Sequence, residues 1–158
     1  MSLKTKFFIM IIGCLFSAIS LAVVQETPAA LGESADSVAS DQRALSAGPG
    51  VTTVSPDYTV QEVTSDAVTV REYVSPSGIV FALAWNGLVR PDLTVLLGSY
   101  ADEYETARSK TPRMPGRRNS RIETQRVVVE TWGHMRDLHG RAYAPALVPQ
   151  GVAIDEIK

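Results

Sequence analysis

The chain has 158 residues, of which 45% are hydrophobic and 20% are charged, and its formal net charge is −2. This length suits a single domain with a hydrophobic core of its own. A weakly acidic chain lacks the excess of Lys and Arg that nucleic-acid binding requires, so no nucleic-acid partner is expected. Cys14 is the only cysteine, so the rest of the chain has no disulfide, no thiolate metal site and no cysteine nucleophile.

The N-terminal 29 residues have the layout of a secretory signal peptide. Lys4 and Lys6 precede an apolar run over residues 7–24, and small residues follow at spacings suited to cleavage. We predict cleavage after Ala29, with Ala22 as the second possible position. The expected location is therefore the periplasm.

Two alternatives to a cleaved signal stay open. The apolar run approaches the ~18 to 20 residues of a membrane-spanning helix, so it could remain as an anchor. Residues 11–14 also resemble a lipobox, in which Cys14 would be acylated after cleavage. We favour cleavage after Ala29, which leaves residues 30–158 as one domain of 129 residues with 13 basic and 16 acidic side chains. Membrane contact is then expected only if the N-terminal segment is not removed.

The first part of this domain is predicted to be helical and then extended. Residues 34–45 have Ser34 as a helix cap, Asp36 at the positive end of the helix dipole and a thin apolar stripe. The sequence Gly48-Pro49-Gly50 ends this helix, and a linker is expected to about Asp57.

Three consecutive antiparallel strands are expected from Tyr58 to Trp85. The segment from Val68 to Val74 alternates apolar and polar side chains, as a half-buried strand does. The turn Ser75–Gly78 leads to a strand over Ile79–Trp85 that is apolar on both faces, so this strand is expected at the centre of the sheet. A shorter strand over Tyr58–Val63 precedes them.

The second half is expected to add one helix and two further strands. Pro91 opens a helix that runs to about Arg108, because Leu and Tyr side chains follow it at three- and four-residue spacings. A strand over Ile122–Trp132 comes next, and a hairpin is predicted to turn within Asp137–Gly140 and to return over Arg141–Ala144.

The end of the chain leaves two options. Val152 and Ile154 are expected either to add an edge strand or to pack as a tail. The predicted fold class is α+β. It has a single antiparallel sheet of about five strands with two helices packed on one face, in the order α-β-β-β-α-β-β.

Residues 108–121 form a basic loop with six basic side chains and no acidic one. Its two prolines and Gly116 indicate irregular structure. One interpretation is a binding patch for anionic lipid, a cell-wall polymer or an acidic protein. The ordinary interpretation, which we favour, is a solvated loop. The candidate binding residues of this loop are Arg113, Arg117, Arg118 and Arg121.

The last hairpin holds the two histidines of the chain. Two histidines and Asp137 are groups that bind metal ions or carry out acid–base chemistry. His134 and His139 are five residues apart, so they face opposite sides of a straight strand, and only a turn between them brings them together. The three residues are therefore weak candidates for a metal site.

Two arginines flank the predicted turn of this hairpin. Arg136 and Arg141 either bind an anion, with His134 as a further contact, or form ion pairs with Asp137 and Glu130. We favour the ion pairs.

Glu72 has the same parity as the apolar residues Val70 and Val74. A carboxylate on a core face is costly unless it is paired. We therefore expect a buried ion pair, as a structural feature rather than a ligand site. The candidate partners are Arg126, Arg136 and Arg141.

Several motifs spread over nearly all of residues 30–158 carry a family resemblance. They lie at residues 30–32, 37–41, 70–85, 91–98, 133–136 and 140–145. With these motifs the chain resembles a family of short exported proteins of Gram-negative bacteria, known only as domain of unknown function two-eight-four-four. The resemblance implies an exported protein of the cell envelope, and it implies no activity and no catalytic residues.

The leading functional hypothesis is a non-catalytic binding module of the cell envelope. Its partner would be an envelope protein or an anionic polymer, and no cofactor is expected. The chain has no nucleophile elbow, phosphate loop or dinucleotide fingerprint. The alternative is a small periplasmic metal-binding protein or hydrolase that uses His134 and His139.

Overall fold

Short segments with side chains that alternate between two faces build one antiparallel sheet. The structure is a computed structural model that describes residues 31–35, 50–112, 116 and 118–158. Within these residues the strands are β1 (Val51–Val54), β2 (Thr59–Thr64), β3 (Val68–Val74), β4 (Val80–Gly87), β5 (Ser120–Glu123), β6 (Val128–His134) and β7 (Asp137–Tyr143). Their order across the sheet is β1-β2-β3-β4-β7-β6-β5, and all neighbours are antiparallel.

Two meanders meet at the centre of the sheet. Strands β1 to β4 form the first, strands β5 to β7 form the second, and the pairing of β4 with β7 joins them. The side chains from Val80 to Trp85 are all at most 2% exposed. A strand that is buried on both faces was expected here, and its central position is confirmed.

One face of the sheet, called the helical face, is covered by two helices. They are α1 (Leu93–Leu97) and α2 (Ala101–Lys110), joined by a 3₁₀ turn over Gly98–Tyr100. The backbone N–H of Thr94 donates to Oδ1 of Asp92 at 2.9 Å and caps α1. The apolar side of this helical segment packs on the sheet through Leu93, Leu96, Leu97, Ala101 and Tyr104. No helix within the described ranges is long and apolar enough to cross a membrane.

The opposite face, called the tail face, is covered by the C-terminal segment, residues 145–158. This segment contains two 3₁₀ turns, Pro145–Leu147 and Ile154–Glu156. Its main anchor is Ile157, which is 0% exposed and packs in a cluster with Tyr73, Phe81 and Tyr143. Of the two options for the end of the chain, the structure therefore shows the packed tail.

The number of strands predicted from the sequence is wrong, although one antiparallel sheet is confirmed. The helix predicted from Pro91 to about Arg108 is present on one face as α1 and α2, interrupted by the 3₁₀ turn over Gly98–Tyr100. Strand β1 lies in the predicted linker, and the single strand predicted over Ile122–Trp132 is two strands, β5 and β6. The last hairpin turns at Met135–Arg136 rather than within Asp137–Gly140. The helix predicted over residues 34–45 falls mostly outside the described residues; Ser34 itself forms an antiparallel bridge with Ile79.

The burial of Glu72 is confirmed, because this residue is 1% exposed among apolar side chains of the helical face. The arginines proposed as its partners lie elsewhere. Arg141 lies on the tail face and pairs with Glu130, and Arg126 pairs with Glu103 at 3.1 Å. A pairing of Glu72 with Arg141 is therefore wrong for a geometric reason, because the two side chains project from opposite faces of the sheet.

Candidate functional site

A row of charged side chains crosses the tail face, one from almost every strand. The strand register aligns Glu62, Arg71, Ala84, Arg141, Glu130 and Arg121. Ala84 at the centre of the row is uncharged. Each of the five charged side chains lies beside one of opposite charge. Cross-strand neighbours of opposite charge stabilise a sheet, so the row, which we call the ion-pair row, has a structural role of its own.

Glu130 is the centre of the better buried half of this row. Nε of Arg141 donates to Oε2 of Glu130 at 2.5 Å, and Nη1 of Arg121 donates to Oε1. The side chains of Arg141 and Glu130 are only 17% and 15% exposed. The pair predicted between Arg141 and Glu130 is therefore present.

The two arginines determine the ionisation of Glu130. Burial alone would raise the pKa of this carboxyl group, but the hydrogen bonds and positive charges of Arg141 and then Arg121 outweigh burial and lower the pKa. Glu130 is therefore a carboxylate at neutral pH with both oxygens occupied. Such a group is a poor general acid and a poor general base.

Arg141 also attaches the C-terminal segment to the sheet. Its Nη1 donates to the carbonyl oxygen of Ile154 at 2.7 Å and lies 3.4 Å from the carbonyl oxygen of Ile157. On the other side of Ala84, the hydroxyl of Tyr73 donates to the carbonyl oxygen of Lys158 at 3.1 Å. The segment is thus held by polar contacts at its edges as well as by the buried side chain of Ile157.

A groove open to solvent lies between the C-terminal segment and strands β5 and β6. Its volume is ≈770 Å³, and it is lined by Asn119, Ser120, Arg121, Glu130, Thr131, Trp132, Arg141, Asp155, Ile157 and Lys158. We call it the sheet groove. Trp132 at its rim is 39% exposed and stacks on His139, with ring centroids 6.0 Å apart and ring planes inclined by 4°. The floor is the half of the ion-pair row formed by Arg121, Glu130 and Arg141, and the rim is the stacked indole of Trp132.

The histidines lie next to the groove, at the end of the last hairpin. The turn at Met135–Arg136 brings His134 and His139 to the same face. Nε2 of His139 lies 2.8 Å from Oδ1 of Asp137, and Nε2 of His134 lies 3.8 Å from Oδ2. Within the part of the chain that the structure describes, no group of three or more His, Cys, Asp or Glu residues is arranged to hold a metal ion.

The predicted binding arginines divide into three groups. Arg121 and Arg141 lie in the groove, on either side of Glu130. Arg118 is exposed just before β5, and Arg136 occupies the hairpin turn with φ = 67°. Arg113 and Arg117 lie outside the described residues. Among the basic side chains of this loop that the structure describes, Arg121 of strand β5 is the one that lines the groove.

Two parts of the site were missed by sequence reasoning, namely Trp132 and the wall formed by residues 155–158. Trp132 shares its parity with Glu130 and His134, so a strand reading of β6 alone would have placed it on a polar, accessible face. The wall depends on a contact between the C-terminal segment and a distant strand, for which the sequence carries no local signal.

These features define a small α+β domain with a solvent-open, ion-paired groove on one face of its sheet. The chain belongs to the family described as a protein of unknown function (DUF2844), whose model matches residues 27–157. The family resemblance of the sequence motifs is thereby confirmed. Comparison with curated proteins and comparison with solved structures found no match.

Proposed function

We propose that the protein is exported to the cell envelope and acts there as a non-catalytic binding module. The observation that supports this proposal most directly is the sheet groove of ≈770 Å³, which has a volume typical of ligand sites. Its floor is held by ion pairs and its rim by a stacked indole, so the surface is ordered before any ligand arrives. Preorganisation of this kind lowers the entropic cost of binding.

The groove is better suited to binding than to catalysis. A catalytic acid or base needs a pKa near the working pH and an oxygen or nitrogen that can reach the substrate. Glu130 meets neither requirement. Its pKa is lowered, and Arg141 and Arg121 occupy its two oxygens. The side chain of Asp155 is 97% exposed, so burial does not hold its carboxylate in one position against a substrate.

Export is supported by the charged and apolar layout of residues 1–29, which lie outside the described residues. We propose a periplasmic location, with membrane anchoring or acylation of Cys14 as the alternatives. The partner class is an envelope protein or a polymer of the cell wall.

The test is a crosslinking pull-down from intact cells with tagged protein. The variants are Trp132→Ala for the groove rim and the combined Arg113→Ser, Arg117→Ser and Arg118→Ser for the basic loop. Met135→Ala is the control, because Met135 is 90% exposed and lies outside the groove. A partner that is lost only with Trp132→Ala locates binding in the groove. Loss only with the loop variant moves the binding surface to the loop. A wild-type protein that recovers neither a protein nor a polymer refutes a binding module.

A metal-dependent function is the weaker second candidate: the hairpin turn places His134, Asp137 and His139 on one face, but their arrangement in this structure does not form a metal site. Metal analysis of the purified protein tests it. Stoichiometric zinc or copper that disappears when both histidines are changed to alanine would favour this candidate over the binding module.

A further inference from the structure

We propose that the ligand of the sheet groove is a glycan, bound with one sugar ring stacked on Trp132. This inference rests on the proposed function and specifies the chemical class of the ligand. It depends on three features of the groove: the aromatic rim, the mixture of charges and the open shape.

The indole of Trp132 is a rigid platform. It is 39% exposed, whereas the other tryptophan, Trp85, is 2% exposed in the core. Its ring lies almost parallel to the imidazole of His139, and this stacking contact favours the observed orientation of the side chain. A sugar ring has an apolar face of C–H groups, and an exposed indole face pairs with such a surface while hydroxyl groups at the ring edge reach polar side chains.

The charges of the groove favour a ligand that both donates and accepts hydrogen bonds. Arg121, Arg141 and Lys158 supply N–H donors to the groove, while the exposed carboxylate of Asp155 supplies acceptors, since Arg141 and Arg121 hold the oxygens of Glu130. A polyanion would meet the two carboxylates, and a polycation would meet the two guanidinium groups. Sugar hydroxyl groups use both kinds of partner, because each donates one hydrogen bond and accepts others.

The shape of the groove suits a chain rather than a small enclosed molecule. It is open to solvent along its side, so a segment of a polymer can enter without passing through a narrow mouth. Exported proteins meet such polymers in two forms, the glycan strands of the cell wall and polysaccharides released into the medium. The two sources share the same ring chemistry.

Two binding assays separate these sources. Protein purified from cells expressing the full chain is sedimented with protein-free peptidoglycan sacculi, and its affinity for chito-oligosaccharides and for polysaccharide recovered from the culture medium is measured by isothermal titration calorimetry. The variants are Trp132→Ala, Trp132→Phe and Met135→Ala. Thermal unfolding of each variant verifies that it is folded.

If the proposal is correct, at least one glycan probe binds the wild-type protein. Trp132→Ala then weakens binding by about tenfold or more, the magnitude of a lost stacking contact. Trp132→Phe retains most of the affinity, Met135→Ala retains all of it, and added salt has little effect because neutral rings are not screened. Sedimentation with sacculi identifies the cell wall as the source, and a calorimetric signal only with the released polysaccharide identifies the other source.

Three results would overturn the proposal that the ligand is a glycan. They are no binding to any glycan probe, equal binding by the wild type and Trp132→Ala, and binding abolished by salt, which indicates a polyanion. If the intact-cell pull-down then recovers a protein that Trp132→Ala loses, the binding module stands and only the glycan is rejected. If both experiments recover nothing, the proposed function fails as well.

Discussion

The ion pair of Glu130 and Arg141 permits a quantitative prediction of protein stability. We consider a double-mutant cycle of Glu130→Gln and Arg141→Met, which isolates the energy of this pair from the other contacts of each residue. The Arg141→Met substitution keeps an apolar stem of similar length, so the loss of packing is small.

The magnitude follows from the geometry. Unit charges at ~4 Å in an effective dielectric of ~20 attract by about 4 kcal/mol. The two side chains are 17% and 15% exposed, so removal of their hydration costs part of this gain. We therefore expect a coupling energy of about 2 kcal/mol, and a cost of about 3 kcal/mol for Glu130→Gln, which leaves Arg141 without its carboxylate.

The assay is urea denaturation at neutral pH, with a matched pair as the control. Arg108 and Glu105 form the same kind of ion pair on α2, but their side chains are 48% and 45% exposed. A cycle at these positions should give a coupling energy of only about 0.3 to 0.5 kcal/mol. If the Glu130–Arg141 cycle gives no more than this control, the argument that burial strengthens the pair is refuted.

Three further predictions follow from the same structure. Because the pKa of Glu130 is lowered in the fold, its stabilising contribution is present above its unfolded pKa of ~4.3 and is lost as pH falls through the folded value. The difference in unfolding free energy between wild type and Glu130→Gln should therefore shrink on acidification. A difference that stays constant with pH would contradict this prediction. Ile157→Ala should lower the free energy of unfolding by about 3 kcal/mol in urea denaturation, and Ile154→Ala, at a half-buried position, by clearly less. Equal losses would show that Ile157 is not the main anchor of the C-terminal segment. Gly140→Ala should destabilise by about 3 kcal/mol, because the added Cβ overlaps the ring of Trp85, and an unchanged midpoint would show that β7 moves easily.

The strands that sequence patterns predict well are those with strict alternation or complete burial. The alternation from Val68 to Val74 and the apolar run to Trp85 led to β3 and β4 in their observed places. The sequence pattern predicts a single strand in place of β5 and β6, because the turn between them has neither Gly nor Pro. Thr124 makes this turn instead, since its hydroxyl accepts from the backbone N–H groups of Arg126 and Val127 at 3.3 and 3.0 Å.

The last hairpin shows how a turn signal can mislead. Gly140 suggested a turn, but its lack of a side chain serves the packing of Trp85 across β7. The real turn contains Arg136 at φ = 67°, a conformation that an arginine rarely adopts. Gly140 is needed for the close contact with Trp85, while Arg136 adopts the left-handed conformation in the turn. The residue types therefore predict the turn a few residues C-terminal to its observed position.

The candidate site was only partly predictable for a related reason. The pair of Arg141 with Glu130 follows from two neighbouring strands of one hairpin, so sequence reasoning reached it. The groove, however, exists only where residues 155–158 pass over the sheet, and that position is set by the burial of Ile157 in a distant cluster. A contact between segments that lack a common secondary-structure pattern leaves no periodic trace in the sequence.

The double role of Arg141 determines which substitutions can report on binding. Arg141 holds both the floor of the groove, through Glu130, and its wall, through the carbonyl oxygen of Ile154. A substitution there changes the stability of the fold and the shape of the groove together, so a loss of ligand would have two explanations. Trp132 lies at the rim and is 39% exposed, so its removal costs the fold little. Ligand binding at the groove should therefore be tested with substitutions of Trp132, and the stability of the fold with substitutions of Arg141 and Glu130.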